Sequence, residues 1–232
     1  MIKVIAFDLD DTLWEMRPVL LAAEKKLDQF LKHTWPDLIH NVVSMRELRH
    51  EVLEESPHLA EKITLFRLRL IEKTFLASGY SAKDSAAYAD RAMEVFLEAR
   101  NNVTFFPDVL PALETLSHDY TLGSLTNGNA DIRKLGLDNW FKFTFSAEEV
   151  GARKPAPDLI NHALRITGFD RSEMIYVGDD LIQDIGAANA AGVHSIWINR
   201  RNQVIPDNLP RSQKPSAIID RMGDISSVVR SL

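Results

Sequence analysis

Two short apolar runs constrain this chain of 232 residues more than any other feature, and both end in acids. Val4-Ile5-Ala6-Phe7 leads into Asp8, Asp10 and Asp11. Met174-Ile175-Tyr176-Val177 leads through Gly178 into Asp179, Asp180 and Asp184. A short, unbroken run of β-branched and aromatic residues reads as a strand buried on both faces, as in a parallel sheet. Carboxylates crowded at the tip of such a strand repel one another, and burial raises the cost. A cation, a phosphate chemistry or both would relieve it.

The surrounding pattern supports a parallel sheet. From about Asn101, Val109 to Leu116 reads as a helix, Tyr120 to Leu125 as a strand and Phe143 to Phe145 as another. Pro157 to Ile166 is a helix with a proline start, Ile182 to Ala191 a helix ended by Gly192, and Val193 to Ile198 a strand. Strands alternating with helices predict an α/β fold with a mostly parallel sheet. Residues 200–216 are polar and proline-containing, as in a surface loop. Residues 17–100 differ, with helical spacing throughout. Leu20, Leu27 and Leu31 share one stripe, with Pro18 suited to a first turn. A second helix spans Ser44 to Glu55 and stops at Ser56-Pro57. A third runs near Glu61 to Ala77, with Gly79 beyond its end, and a fourth carries Ala86, Ala89, Met93, Phe96 and Leu97 on one face. This helical block is an insertion after the first strand.

Composition narrows the function. The formal net charge of −6 argues against a general nucleic-acid binder, but not against a small anionic substrate in a locally positive site. The absence of cysteine excludes disulfides, a thiol nucleophile and a thiolate metal site. The opening segment is too short for a signal-peptide core, and no apolar stretch approaches the roughly 20 residues of a membrane span. A cytoplasmic enzyme is expected.

Ligands of open parallel sheets bind beyond the carboxyl ends of the strands. Four such ends carry polar clusters here: Asp8, Asp10 and Asp11; Thr126, Asn127 and Gly128; Arg153, Lys154 and Pro155; Asp179, Asp180 and Asp184. In an extended segment Asp8 and Asp10 would share a side and Asp11 would point away. One aspartate can act as a nucleophile and a second as general acid, then general base. Asp8 and Asp179 form the natural pair for Mg²⁺, with Asp184 binding a metal water or orienting the site. Asp180 is either part of that set or a solvated acid at a helix N-terminus. Thr126 and Asn127, with the backbone N–H groups there, could hold phosphoryl oxygens, although "TNG" is also a good turn. A cationic Lys154, kept out of helix by Pro155, would offset phosphate charge and restrain the carboxylates.

The motifs "DLDDTL", "LTNG", "RKPAPD" and "GDDLIQD", in that order, resemble those of the haloacid dehalogenase superfamily of phosphohydrolases. The resemblance spans the chain. It implies a Rossmann-like catalytic core in residues 1–14 and 101–232, flanked by helices, and an inserted α-helical cap domain in residues 15–100. It also implies Mg²⁺-dependent hydrolysis of a phosphate monoester. Asp8 matches the nucleophile and Asp10 the general acid/base. Asp8, Asp179 and the backbone carbonyl of Asp10 match metal ligands, Thr126 and Lys154 match phosphate-binding residues with Asn127 beside them, and Asp184 matches a supporting acid. Asp11 departs from the glycine most often found at its place and is read as loop structure. Dehalogenases of the superfamily lack the equivalent of Asp10, so its presence favours phosphate transfer over C–halogen cleavage.

A narrower resemblance, through "FDLDDTLWEMRPVL", "FRLR", "LTNGNA" and "VGDDLIQDIGAA", is to bacterial flavin-branch phosphatases. These act on flavin mononucleotide and on 5-amino-6-(5-phosphoribitylamino)uracil. The cap is expected to close over the core, exclude water and set leaving-group choice. Trp14 and Arg17 are expected near the substrate, with Trp14 either stacked on a flat ring or packed at a hinge. Arg67, with Arg69 on the third cap helix, is a further substrate candidate or simply solvated. The expected partner is a small phosphorylated metabolite, with no nucleic acid and no membrane, and a monomer or homodimer. Rival readings are a nucleotide or sugar phosphatase, a phosphomutase using the same Asp8 and Asp10, and a non-catalytic binding protein, which would have little reason to keep all four clusters.

Overall fold

A computed structural model of the protein describes residues 1–39, 42–206 and 208–231, so Asp207 of the polar loop lies outside the described residues. The chain forms two compact units, one of Met1–Glu15 with Thr104–Leu232 and one of Met16–Val103.

The first unit is built on a sheet whose strands all pair in parallel. These are β1 (Val4–Phe7), β2 (Thr121–Thr126), β3 (Phe141–Ser146), β4 (Met174–Gly178), β5 (His194–Ile198) and β6 (Ala217–Ile219), in the order β3-β2-β1-β4-β5-β6. Its helices are α5 (Val109–Ser117), α6 (Ala147–Val150), α7 (Asp158–Thr167), α8 (Asp184–Ala191) and α9 (Ile225–Val229). All residues of β1 and β4 are buried, which accounts for their unbroken apolar sequences. Leu159, Ile160 and Ala163 of α7 and Ala187, Ala188 and Ala191 of α8 pack with Val4, Ala6, Met174 and Tyr176 in one core cluster. Small side chains on α8 let that helix lie close to the sheet. β1 sits centrally, and the strand order reverses there, the kind of point at which α/β sheets bind ligands. Phe7 is level with Ser124 of β2 and Val177 of β4, so the segments that follow these strands leave the sheet side by side.

The second unit contains α1 (Met16–Thr34), α2 (Val42–Glu55), α3 (Ile63–Ala77) and α4 (Ala82–Arg100). The third helix begins two residues later than its spacing suggested, because Pro57–Glu61 is wound as a 3₁₀ turn. Ser81 caps α4 by accepting from the backbone N–H of Asp84 at 3.1 Å. Ala86, expected on the inner face of α4, is exposed. The buried stripe holds Ala89, Met93 and Phe96 as expected and extends to Ser85 and Ala92. Ser85 has no apolar signal, so the sequence pattern misplaced the edge of the stripe. Trp35, Phe75, Tyr80 and Tyr88 form an aromatic cluster in which the Phe75 ring meets Trp35 edge-on at 4.8 Å. No helix among the described residues is long and apolar enough to cross a membrane.

Phe75 is fully buried in that cluster. Phe75→Ala is therefore expected to destabilise the helical unit by about 3–5 kcal/mol, measured by denaturant unfolding followed through tryptophan fluorescence.

Candidate active site

The site is assembled where β1, β2 and β4 end. Asp8 follows β1, and its backbone N–H still donates to Val177 O at 2.9 Å, which seats it beside β4. The chain then turns: Leu13 N donates to Leu9 O at 2.8 Å, and Asp11 takes a left-handed φ of 59°. Asp10 stands between Asp8 and that turn, in an isolated bridge with Trp14. Asp10 is placed by the turn, where its Oδ1 accepts from Trp14 Nε1 at 3.0 Å. Asp11 pairs with Arg201 at 2.9 Å, consistent with a loop role.

Lys154 occupies the centre. Its Nζ lies 2.6 Å from Asp8 Oδ1, 2.6 Å from Asp184 Oδ1, 2.7 Å from the Tyr176 hydroxyl and 3.2 Å from Leu125 O. The side chain is 2% exposed, so this lysine is no solvated surface group. Asn127 holds its backbone from both sides, accepting from Lys154 N at 2.8 Å and donating to Lys154 O at 3.1 Å. The Asn127 amide also donates to Gln183 Oε1 at 2.8 Å. Asn127, expected beside the phosphate with the backbone N–H groups there, uses its side chain to place the lysine. Thr126 is buried at the end of β2, and its Oγ1 accepts from Gly128 N at 2.9 Å.

Asp184 opens α8 and is held by both oxygens, Oδ1 by Lys154 and Oδ2 by the backbone N–H of Asp180 at 3.0 Å. The Asp180 carboxylate accepts from Ile182 N at 2.8 Å and Gln183 N at 2.9 Å. It fastens the turn into α8, which favours the helix-terminus reading over a metal role. Gly178 makes this packing possible, since a Cβ there would lie 2.3 Å from Asp184 Cγ. Asp179 is anchored through its backbone, where its carbonyl accepts from Trp197 Nε1 at 2.7 Å.

Asp8, Asp179 and Asp184 each offer a carboxylate oxygen within 4.8 Å of the others. One ammonium among three carboxylates leaves two negative charges unbalanced. Among the described residues, Asp8 Oδ2 and Asp179 Oδ1 each meet Thr12 Oγ1 at 3.5 Å, a weak donor contact. Hard oxygen donors with that charge deficit fit Mg²⁺. The electrostatics agree. Burial raises Asp8 well above the ordinary carboxylate range, with Asp184 and Asp179 adding to it against the pull of Lys154. Asp179 is raised to about 7, by burial first and then by Asp184, Asp11 and Asp180. Burial alone would lower Lys154, but the Asp184 and Asp8 carboxylates outweigh it and hold the ammonium charged. The Tyr176 phenol is pushed up by burial and stays neutral.

Trp14, Arg17 and Arg67 are the remaining candidates. Trp14 is fully buried and meets Phe105 edge-on at 5.8 Å, an arrangement that suits packing and not stacking on a flat substrate ring. Arg17 is exposed in the first turn of α1. Arg67 pairs with Glu24 at 2.6 Å and stacks over the Phe96 ring at 3.8 Å, inside the helical unit. Sequence reasoning passed over Tyr176 and Thr12. A hydroxyl inside the apolar run Met174–Val177 was the available signal, because a buried tyrosine O–H needs a partner.

A family model for haloacid dehalogenase-like hydrolases matches residues 2–192. The 5-amino-6-(5-phospho-D-ribitylamino)uracil phosphatase YigB of Escherichia coli is 31% identical over 98% of this chain and 96% of its own. The glyceraldehyde 3-phosphate phosphatase of Methanopyrus kandleri is 29% identical over 100% of this chain and 99% of its own. Among solved structures, a 2-haloacid dehalogenase from Pseudomonas syringae pv. Tomato DC3000 is 37% identical, with a TM-score of 0.94 over 100% of this chain and 99% of that one.

Gly178→Ala should push Asp184 off Lys154. Substrate turnover is expected to fall about 100-fold, because a misplacement near 1 Å can cost that much. Steady-state kinetics check the loss, and circular dichroism checks that the fold is kept.

Proposed function

The chain belongs to the haloacid dehalogenase-like hydrolase family and is a phosphoric monoester hydrolase, and on that premise we propose a Mg²⁺-dependent mechanism through an aspartyl-phosphate on Asp8. The observation that carries this reading is the buried Lys154 bridge between Asp8 and Asp184, beside an Asp179 that leaves the cluster short of positive charge. Asp8, Asp179 and Asp184, with the Asp10 carbonyl, would hold or orient the metal. Bound Mg²⁺ would supply charge neutralisation to the carboxylates and to phosphoryl oxygens.

Each step uses groups of the chain. Lys154 holds Asp8 through Oδ1, which leaves Oδ2 to attack phosphorus. The ester P–O bond breaks, its electron pair goes to the leaving oxygen, and Asp10 supplies the proton. Asp10, now a carboxylate, takes a proton from water. That water oxygen attacks phosphorus, the bond from phosphorus to Asp8 breaks, and inorganic phosphate leaves. Lys154, the Thr126 hydroxyl and nearby backbone N–H groups balance the phosphoryl charge.

The narrower substrate reading is 5-amino-6-(5-phosphoribitylamino)uracil phosphate or flavin mononucleotide, as in riboflavin biosynthesis. It is supported by the sequence segments quoted above and by the full-length similarity to YigB. A second reading, C–halogen cleavage, is favoured by the similarity to the Pseudomonas dehalogenase. Chemistry separates the two, since an alkoxide needs a proton to leave and a halide does not. Asp10, placed one residue beyond the nucleophile's neighbour, serves only the first.

A phosphate-release panel of flavin mononucleotide, the uracil derivative, nucleotides and sugar phosphates, run beside a halide-release assay with 2-haloacids, tests both readings. Mg²⁺-dependent phosphate release that Asp8→Asn abolishes with the fold intact is the expected result. Halide release without phosphate release would overturn it. Proton competition gives an independent check. Without metal, folding raises Asp179 from 3.8 to about 7. Its contribution to stability is complete below 3.8 and is lost as pH rises through about 7. Mg²⁺ binds the ionised carboxylate and opposes that loss. Calorimetric titration should show the Mg²⁺ dissociation constant rising about tenfold per pH unit below 7.

A further inference from the structure

The indole of Trp14 has a use that its burial makes specific. Its Nε1 donates to Asp10 Oδ1 at 3.0 Å. The residue is fully buried, and its backbone bridges to Asp10 on one side and Phe105 on the other. Phe106 N donates to Leu13 O at 2.9 Å, and the Phe105 ring closes on the indole at 73°. A ring clamped in this way cannot turn its N–H to another acceptor, and a buried donor without a partner is costly. The same clamp acts on Asp10. That carboxyl lies beyond the end of β1, and the indole N–H fixes its Oδ1.

We propose that Trp14 is a positioning residue for Asp10, holding the carboxyl in the plane from which it delivers its proton to the leaving oxygen. The inference rests on the reading of Asp10 as general acid/base. In its acid form Asp10 carries the proton that the leaving oxygen needs. As the ester P–O bond breaks, that proton passes to the leaving oxygen and Asp10 becomes a carboxylate. The indole N–H stays in place throughout and steadies the charge that forms. Trp14 thus acts on the reaction without touching substrate, and its effect depends on how much the leaving group needs a proton.

Phenyl phosphate and 4-nitrophenyl phosphate share a ring and a phosphate but differ in leaving-group basicity, so they isolate this need. With Mg²⁺ present, Trp14→Phe is expected to lower kcat/KM, which reports the step that breaks the ester P–O bond, about tenfold for phenyl phosphate and less than about threefold for 4-nitrophenyl phosphate. Asp10→Asn should show the same preference more strongly, and Trp14→Phe should add nothing in the Asp10→Asn background. Equal losses on both esters in Trp14→Phe, or a further tenfold loss in the double variant, would overturn the proposal. If Asp10→Asn discriminates and Trp14→Phe does not, the positioning role alone fails. If Asp10→Asn lowers kcat/KM equally for both esters, the general-acid assignment fails and the positioning role with it. Should Trp14→Phe not fold by circular dichroism, 3-benzothienylalanine at position 14 keeps the shape of the indole without its N–H, and the same criteria apply.

Discussion

The ammonium of Lys154 is the interaction on which the rest of this site depends. It lies in the interior, touches carboxylates from the ends of β1 and the start of α8, and meets the Tyr176 hydroxyl and the Leu125 carbonyl from two more strands. A buried cation costs several kcal/mol unless every proton has an acceptor, and here the three protons face four oxygens. The same contacts fix Asp8 in one rotamer and stop it from swinging toward Asp179. Charge balance therefore also sets geometry.

That arrangement needs a particular sheet. β1 must lie between β2 and β4 for a lysine in the loop after α6 to reach both Asp8 and Asp184. Parallel pairing brings the carboxyl ends of all three strands to one edge. Asn127 and Gly178 complete it at the backbone level. Asn127 brackets the Lys154 peptide, and Gly178 leaves the space that the Asp184 side chain fills. Neither group carries charge, yet each decides where a charged group stands.

Much of the fold was legible because burial on both faces leaves a clear trace. β1 and β4 are short apolar runs ended by acids, and α7 and α8 end at Gly168 and Gly192 with positive φ. Less was legible where signals were short or mixed. β6 has only Ala217, Ile218 and Ile219, and α9 only five residues, so neither stood out from the polar segment before them. In α4 the buried Ser85 looks polar and the exposed Ala86 looks apolar, which misplaced one edge of the predicted stripe, while Ala89, Met93 and Phe96 are buried as expected.

By itself the sequence determined the chemistry available to this protein: carboxylates, a lysine and a hydroxyl at strand ends, no thiol, and helical spacing throughout the insertion. Only the tertiary structure decided how those groups divide the work. It placed Lys154 in the interior, gave Asp184 partners on both oxygens, turned Asn127 toward the lysine loop, and put Trp14 against Asp10 instead of in reach of a flat ring. The physical reason is range. Hydrophobic periodicity and turn chemistry are local and can be read along the chain. Hydrogen-bond partners and pKa shifts come from residues that meet only after the sheet has formed, as Asp8 and Lys154 do across 146 positions.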